Sequence, residues 1–119
     1  MMSDELINKE FIKNSVRVTL KMILGEASLA ALEFHLTNLL ERDPYEVFCN
    51  TPQDFYEGLR SIFGKGADIV LEVMFSTMAQ KGFIKSVNPA QAARLLKTSD
   101  EQSRRELLEL FKPSKVSKQ

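Results

Sequence analysis

Apolar residues recur at three- and four-residue intervals along most of the chain, the period of helices that bury one face. Over residues 26–41, Leu29, Leu32, Leu36, Leu39 and Leu40 fall within about a third of the helix circumference. Ala27, Ala30, Ala31 and Phe34 make a second face of mostly small residues, so this helix is expected to pack on two sides. Residues 52–63 place Phe55, Leu59, Ile62 and Phe63 on one face. The segment 66–81 differs. Ile69, Val70, Leu71, Val73, Met74, Phe75 and Met78 wrap most of its circumference and leave a narrow polar strip of Asp68, Glu72, Ser76 and Gln80. A helix apolar nearly all round is buried on nearly all sides. The pattern therefore predicts an all-α bundle of five to seven helices, with residues 66–81 either at its centre or on the seam of an oligomer.

One stretch reads two ways. Leu6, Ile7, Phe11 and Ile12 recur at helical intervals, whereas Val16-Arg17-Val18-Thr19-Leu20-Lys21-Met22 alternates with the period of a half-buried strand. A lone strand has no partner in an otherwise helical chain unless a second copy supplies one. Helix is the favoured reading, and Val16, Leu20, Ile23 and Leu24 also satisfy helical spacing.

Helix punctuation is dense between residues 43 and 67. Asp43-Pro44-Tyr45-Glu46 and Thr51-Pro52-Gln53-Asp54 each set a capping side chain before a proline, with a carboxylate three residues on. The cap oxygen can accept an orphan backbone N–H, and proline suits the first helical position, where no N–H is needed. Gly64 and Gly66 supply the corner that follows, and Gly25 divides the first two helical segments. Downstream, Gly82 stops a helix and Phe83, Ile84 and Val87 are expected to fold back onto the core. Asn88-Pro89 opens a short helix, and Thr98-Ser99-Asp100-Glu101 opens a last one in which Leu107, Leu108, Leu110 and Phe111 are apolar. Residues 1–112 read as one helical domain and 113–119 as a flexible basic tail.

Composition changes little. The 119 residues are 44% hydrophobic and 27% charged, ordinary for a globular domain. Sixteen basic and sixteen acidic side chains balance, which removes bulk electrostatics as a drive toward nucleic acid. A local basic surface remains available from Arg104, Arg105, Lys112, Lys115 and Lys118. Uncharged runs such as Val73–Gln80 fall far short of the roughly 20 residues a bilayer span needs. With no secretory leader pattern and a single cysteine, the expectation is a soluble, cytoplasmic protein with no membrane association.

Candidate chemistry is sparse. His35 is the one histidine and borders the leucine stripe, where no orienting acid or nucleophile accompanies it. Cys49 sits toward a helix C-terminus, which does not lower a thiol pKa, so a buried small hydrophobe is the expected role. Gly64-Lys65-Gly66 lacks the spacing, the Lys-Ser/Thr pair and the strand of a phosphate loop. The same corner is a poor helix-turn-helix, because the second helix begins Ala67-Asp68-Ile69-Val70-Leu71, an acid and core residues where base-reading side chains belong. No catalytic residues, metal ligands or cofactor are assigned.

Ile23-Leu24-Gly25-Glu26, Leu32…Phe34-His35-Leu36, Asp43-Pro44-Tyr45-Glu46 and Phe55…Leu59…Ile62-Phe63-Gly64-Lys65-Gly66-Ala67 together resemble a small archaeal helical domain, the thaumarchaeal signalling output domain of Nitrosopumilus type. The resemblance spans roughly residues 16–82. It implies an archaeal, non-enzymatic module whose partner is open, and it carries no catalytic residues. The first functional expectation is thus a protein-interaction or signalling output module acting as a homodimer, with Gly25, Gly64, Gly66, Met74, Phe75 and Met78 as structural or interface positions. The alternatives are a nucleic-acid-binding regulator using the basic C-terminal residues, and a small-molecule sensor with an apolar pocket lined by Met74, Phe75 and Met78.

Overall fold

The computed structural model describes residues 2–111, with side chains from residue 8 onward. Lys112, Lys115, Lys118 and the expected tail 113–119 lie outside the described residues. Seven helices follow in order: α1 Met2–Leu24, α2 Glu26–Leu40, α3 Pro44–Asn50, α4 Pro52–Phe63, α5 Gly66–Gln80, α6 Pro89–Lys97 and α7 Glu101–Glu109. The two-way segment 16–22 is helical. Its strand-like alternation coexists with a stripe of Ile12, Val16 and Leu20, spaced by four and buried. That stripe prevails because helix satisfies every backbone group locally, while a strand needs a neighbour to do so.

The bundle is a ring of four helices. α1 packs on α2 and α5, and α4 packs on the same two, so α2 and α5 stand at opposite corners. α3 closes one end against α1, α2 and α4, α6 lies on α4 and α5, and α7 joins α6 to α3. Phe48, Phe55, Leu59, Leu71, Met74, Phe75 and Met78 fill the middle and are fully buried. The Phe48 ring meets Phe55 and Phe111 edge-on, with centroids 5.3 and 6.0 Å apart, a favoured aromatic geometry. Phe111 also pairs with Ile84 in a single antiparallel bridge, which ties the segment after α5 to the end of α7. The expected return of Ile84 onto the core is seen in its burial.

Two glycines do different work. Gly58 marks the closest approach of α2 and α4, since a Cβ there would lie 2.8 Å from Leu36 Cδ2. Gly64 has φ +60° and ψ −132°, a region open almost only to glycine. Gly66, by contrast, is inside α5 and a Cβ there would meet nothing closer than Phe63 Cβ at 3.8 Å.

Caps depart from the sequence reading in detail. Asp43 accepts the Tyr45 N–H and Asn88 accepts those of Ala90 and Gln91, as the pattern requires. Thr51 makes no side-chain cap, because it is both the C-cap of α3 and the N-cap of α4. Its main chain serves both helices instead, donating to Val47 O and accepting from Asp54 N. At α7 the cap is Asp100, which accepts the Ser103 N–H at 2.6 Å, while the Thr98 hydroxyl donates back to the Arg94 carbonyl.

The expectation that residues 66–81 are buried on nearly all sides needs correction. Ala67, Leu71, Met74, Phe75 and Met78 are buried, but Ile69 is 67% and Val73 42% exposed. Three neighbours contact α5, and they cover one side only.

Candidate functional site

A groove of about 650 Å³ opens between α1, α2 and the start of α3, lined by Glu10, Asn14, Arg17, Glu33, Thr37 and Tyr45 among others. Three helices converge on one carboxylate there. Tyr45 Oη donates to Glu33 Oε2 at 2.6 Å, and Arg17 Nε donates to the same oxygen at 3.0 Å. Burial first, then the hydrogen bond to Glu33, holds the Tyr45 phenol far above its ordinary pKa. It is therefore a neutral hydrogen-bond donor at neutral pH.

Below the groove, α3 is anchored to α1 through Glu46. Lys13 Nζ lies 2.7 Å from Glu46 Oε2 and Lys9 Nζ 2.9 Å from Oε1. Those hydrogen bonds, Lys13's foremost, lower the Glu46 carboxyl to about 2. Lys13 in turn is raised, mainly by its bond to Glu46. Asp43 and Glu10 complete the cluster at 3.7 Å from Lys13. Glu46 stands three residues after the Asp43 cap, yet it serves the lysines of α1 rather than a capping box. The groove's charges are thus spent on one another, and their chemical effect is to clamp three helices.

The apolar surface tells more. On α2 the leucines Leu29, Leu32 and Leu36 face the core. Ala27, Ala30, Ala31 and Phe34 point the opposite way and are exposed, Phe34 by 63%. Leu39 is 52% exposed on the flank. The second packing face expected of this helix is present and exposed among the described residues. Met22 on α1, with Ile69 and Val73 on α5, forms the remaining exposed large apolar side chains among the described residues.

The other candidates find structural places. His35 is exposed with its ring against Phe34, centroids 5.6 Å apart. Cys49 is buried, and burial pushes its thiol up to about 11. Met74, Phe75 and Met78 are interior side chains of the core rather than pocket lining or interface. Gly25 and Gly64 make turns at positive φ. Arg104 donates to the Cys49 carbonyl at 2.9 Å and pairs with Glu101, so it joins α7 to the end of α3. Arg105 is largely exposed and 3.9 Å from Glu101. Lys97 lies 3.2 Å from Asp68 Oδ1, off the line of a hydrogen bond, and 5.6 Å above the Tyr56 ring, a Coulombic and cation–π pin for α6. Sequence reasoning missed Glu33, Tyr45 and Gly58. The first two stand twelve residues apart on different helices, and only the fold brings them together. No described helix is long and apolar enough to cross a membrane.

Comparison with known proteins finds no matching family, no matching curated protein and no matching solved structure.

Proposed function

We propose that this chain is a non-enzymatic protein-interaction module, a signalling or regulatory output unit that works as a homodimer. The observation that carries the reading is the apolar side chains left outside the bundle in two places at opposite corners: Phe34 and Leu39 on α2, Ile69 and Val73 on α5. Single exposed apolar residues are common, but an aromatic set among three alanines on one helix face is the kind of surface that marks a contact site. The groove's charged side chains support the same reading, since Arg17, Glu33, Lys13 and Asp43 lie in ion pairs between helices. The resemblance to a thaumarchaeal output domain supplies the class of role, and a cytoplasmic setting goes with it. Light scattering after size exclusion, over a dilution series into the micromolar range, tests the reading. A mass of two chains that falls to one on dilution supports it, and a single-chain mass at every concentration refutes self-association.

The nucleic-acid alternative is less well supported, because Arg104 is committed to the α3–α7 joint. Binding to duplex or single-stranded DNA at low salt, weakening steeply as salt rises, would restore it.

A further inference from the structure

We infer that α7, together with Leu110 and Phe111, is a strap that opens as one unit while the four-helix ring stays folded, uncovering an apolar seat at Phe48 and Ile84. The helix lies outside the ring, packed on α6 and touching the end of α3. Within α7 only Leu107 is buried, whereas the shorter α3 buries Pro44, Tyr45, Val47, Phe48 and Cys49. Every other helix buries three residues or more. Local stability follows the apolar contact an element makes with the rest of the fold, so α7 is the least firmly held of the seven.

The polar bonds of α7 are mostly its own. Asp100 accepts the Ser103 N–H, Gln102 donates to Glu106 and Arg104 pairs with Glu101, all of them internal to the element. Beside the burial of Leu107, three described ties reach across. Arg104 Nε donates at 2.9 Å to the carbonyl of Cys49, in the last turn of α3, where carbonyls lack partners within their own helix. The Phe111 ring stands edge-on to Phe48, centroids 6.0 Å apart. The Lys85 N–H donates to the Leu110 carbonyl at 2.9 Å, beside the Ile84–Phe111 bridge. Leu107, Leu110 and Phe111 fall within about one turn, so the apolar anchors leave together. Arg104 is then left with a single bond open to water. A helix this short melts once freed of its seat. The ring's own contacts, α1 with α2 and α5 and α4 with the same two, do not involve α7. The occupant of the seat is thus the chain's own Phe111, which covers Phe48 and Ile84 when the strap is shut.

Native-state hydrogen exchange, followed by NMR through rising urea below the unfolding transition, reads the opening residue by residue. The Leu107 and Lys85 amides sit on separate segments. They should share one opening constant, at least about a hundredfold larger than that of Leu59 and Leu71 in the core, and one shared, smaller urea dependence. Exchange of Leu107 only together with Leu59 and Leu71 would mean that the strap leaves only on global unfolding, and would overturn the inference. Opening of Leu107 without Lys85 would overturn it too, since the ties would not break as a unit. Rates indifferent to urea would mean fraying of single residues, with the same consequence. R104A supplies a second reading. It should speed the Leu107 and Lys85 amides about tenfold, because the opened state no longer carries the bond to the Cys49 carbonyl. Unchanged rates at both amides would show that opening leaves this tie intact, and would refute the strap.

Discussion

Replacing Glu46 with Gln tests how the N-terminal helix is held. The carboxyl ordinarily titrates near 4.5 and is lowered to about 2 in the folded chain, chiefly by Lys13 and then Lys9. A folded pKa below the unfolded one means that stability is present above pH 4.5 and is lost as pH falls toward 2. Taken whole, that shift corresponds to about 3.4 kcal/mol. The figure is an upper limit, because the Glu46 side chain is 36% exposed and solvent screens it. A discounted contribution of about 1 kcal/mol is the expected effect. Lys13 keeps Asp43 and Glu10 within 3.7 Å, which softens the loss further. Glu46→Gln should therefore lower stability by about 1 kcal/mol at pH 7, or about 4 °C in Tm. Urea denaturation of both proteins at pH 7 and at pH 2.5 isolates the effect, since every other carboxylate titrates in both. The gap should shrink to roughly a quarter of its pH 7 size at pH 2.5, just above the lowered carboxyl's value of about 2, and should also shrink in 0.5 M salt at pH 7. A gap independent of pH, or none at pH 7 in low salt, would refute the ion-pair account of how α3 is held to α1.

Four further expectations follow from the packing. Tyr45→Phe removes the donor to Glu33 and should cost about 1–2 kcal/mol by denaturant titration; because the folded phenol is raised, its ionisation in the native protein should come only with unfolding as pH climbs past 10, read by ultraviolet absorbance. Thr19 is fully buried with an unpartnered hydroxyl, so Thr19→Val should raise stability by about 1 kcal/mol, read from the shift in urea midpoint. Gly64→Ala should destabilise by about 1–2 kcal/mol at its positive φ, while Gly66→Ala should stabilise by about 0.5–1 kcal/mol from helix propensity, a contrast thermal melts can resolve. Cys49, buried and with its thiol raised to about 11, should react with a thiol reagent only through opened forms of the protein, so labelling at fixed reagent should be slow in water and rise steeply with denaturant.

The sequence by itself determined the elements. Prolines and capping side chains at Asp43, Asn88 and Asp100 act within a few residues of themselves, and Gly64 meets a backbone demand set by its own dihedral angles. The heptad-like leucines of α2 likewise announce a buried face wherever the helix ends up. Tertiary structure decided which faces are covered. α5 reads as apolar almost all round, yet whether Ile69 and Val73 are buried depends on how many neighbours reach it, and α1, α4 and α6 together leave that side open. The clamp of Tyr45 and Arg17 on Glu33 and the seat of Leu36 over Gly58 join residues whose separation along the chain carries no signal. Local rules act over one turn of backbone. Burial and long-range pairing arise only when helices are placed side by side, because the free energy belongs to the contact and not to either residue alone.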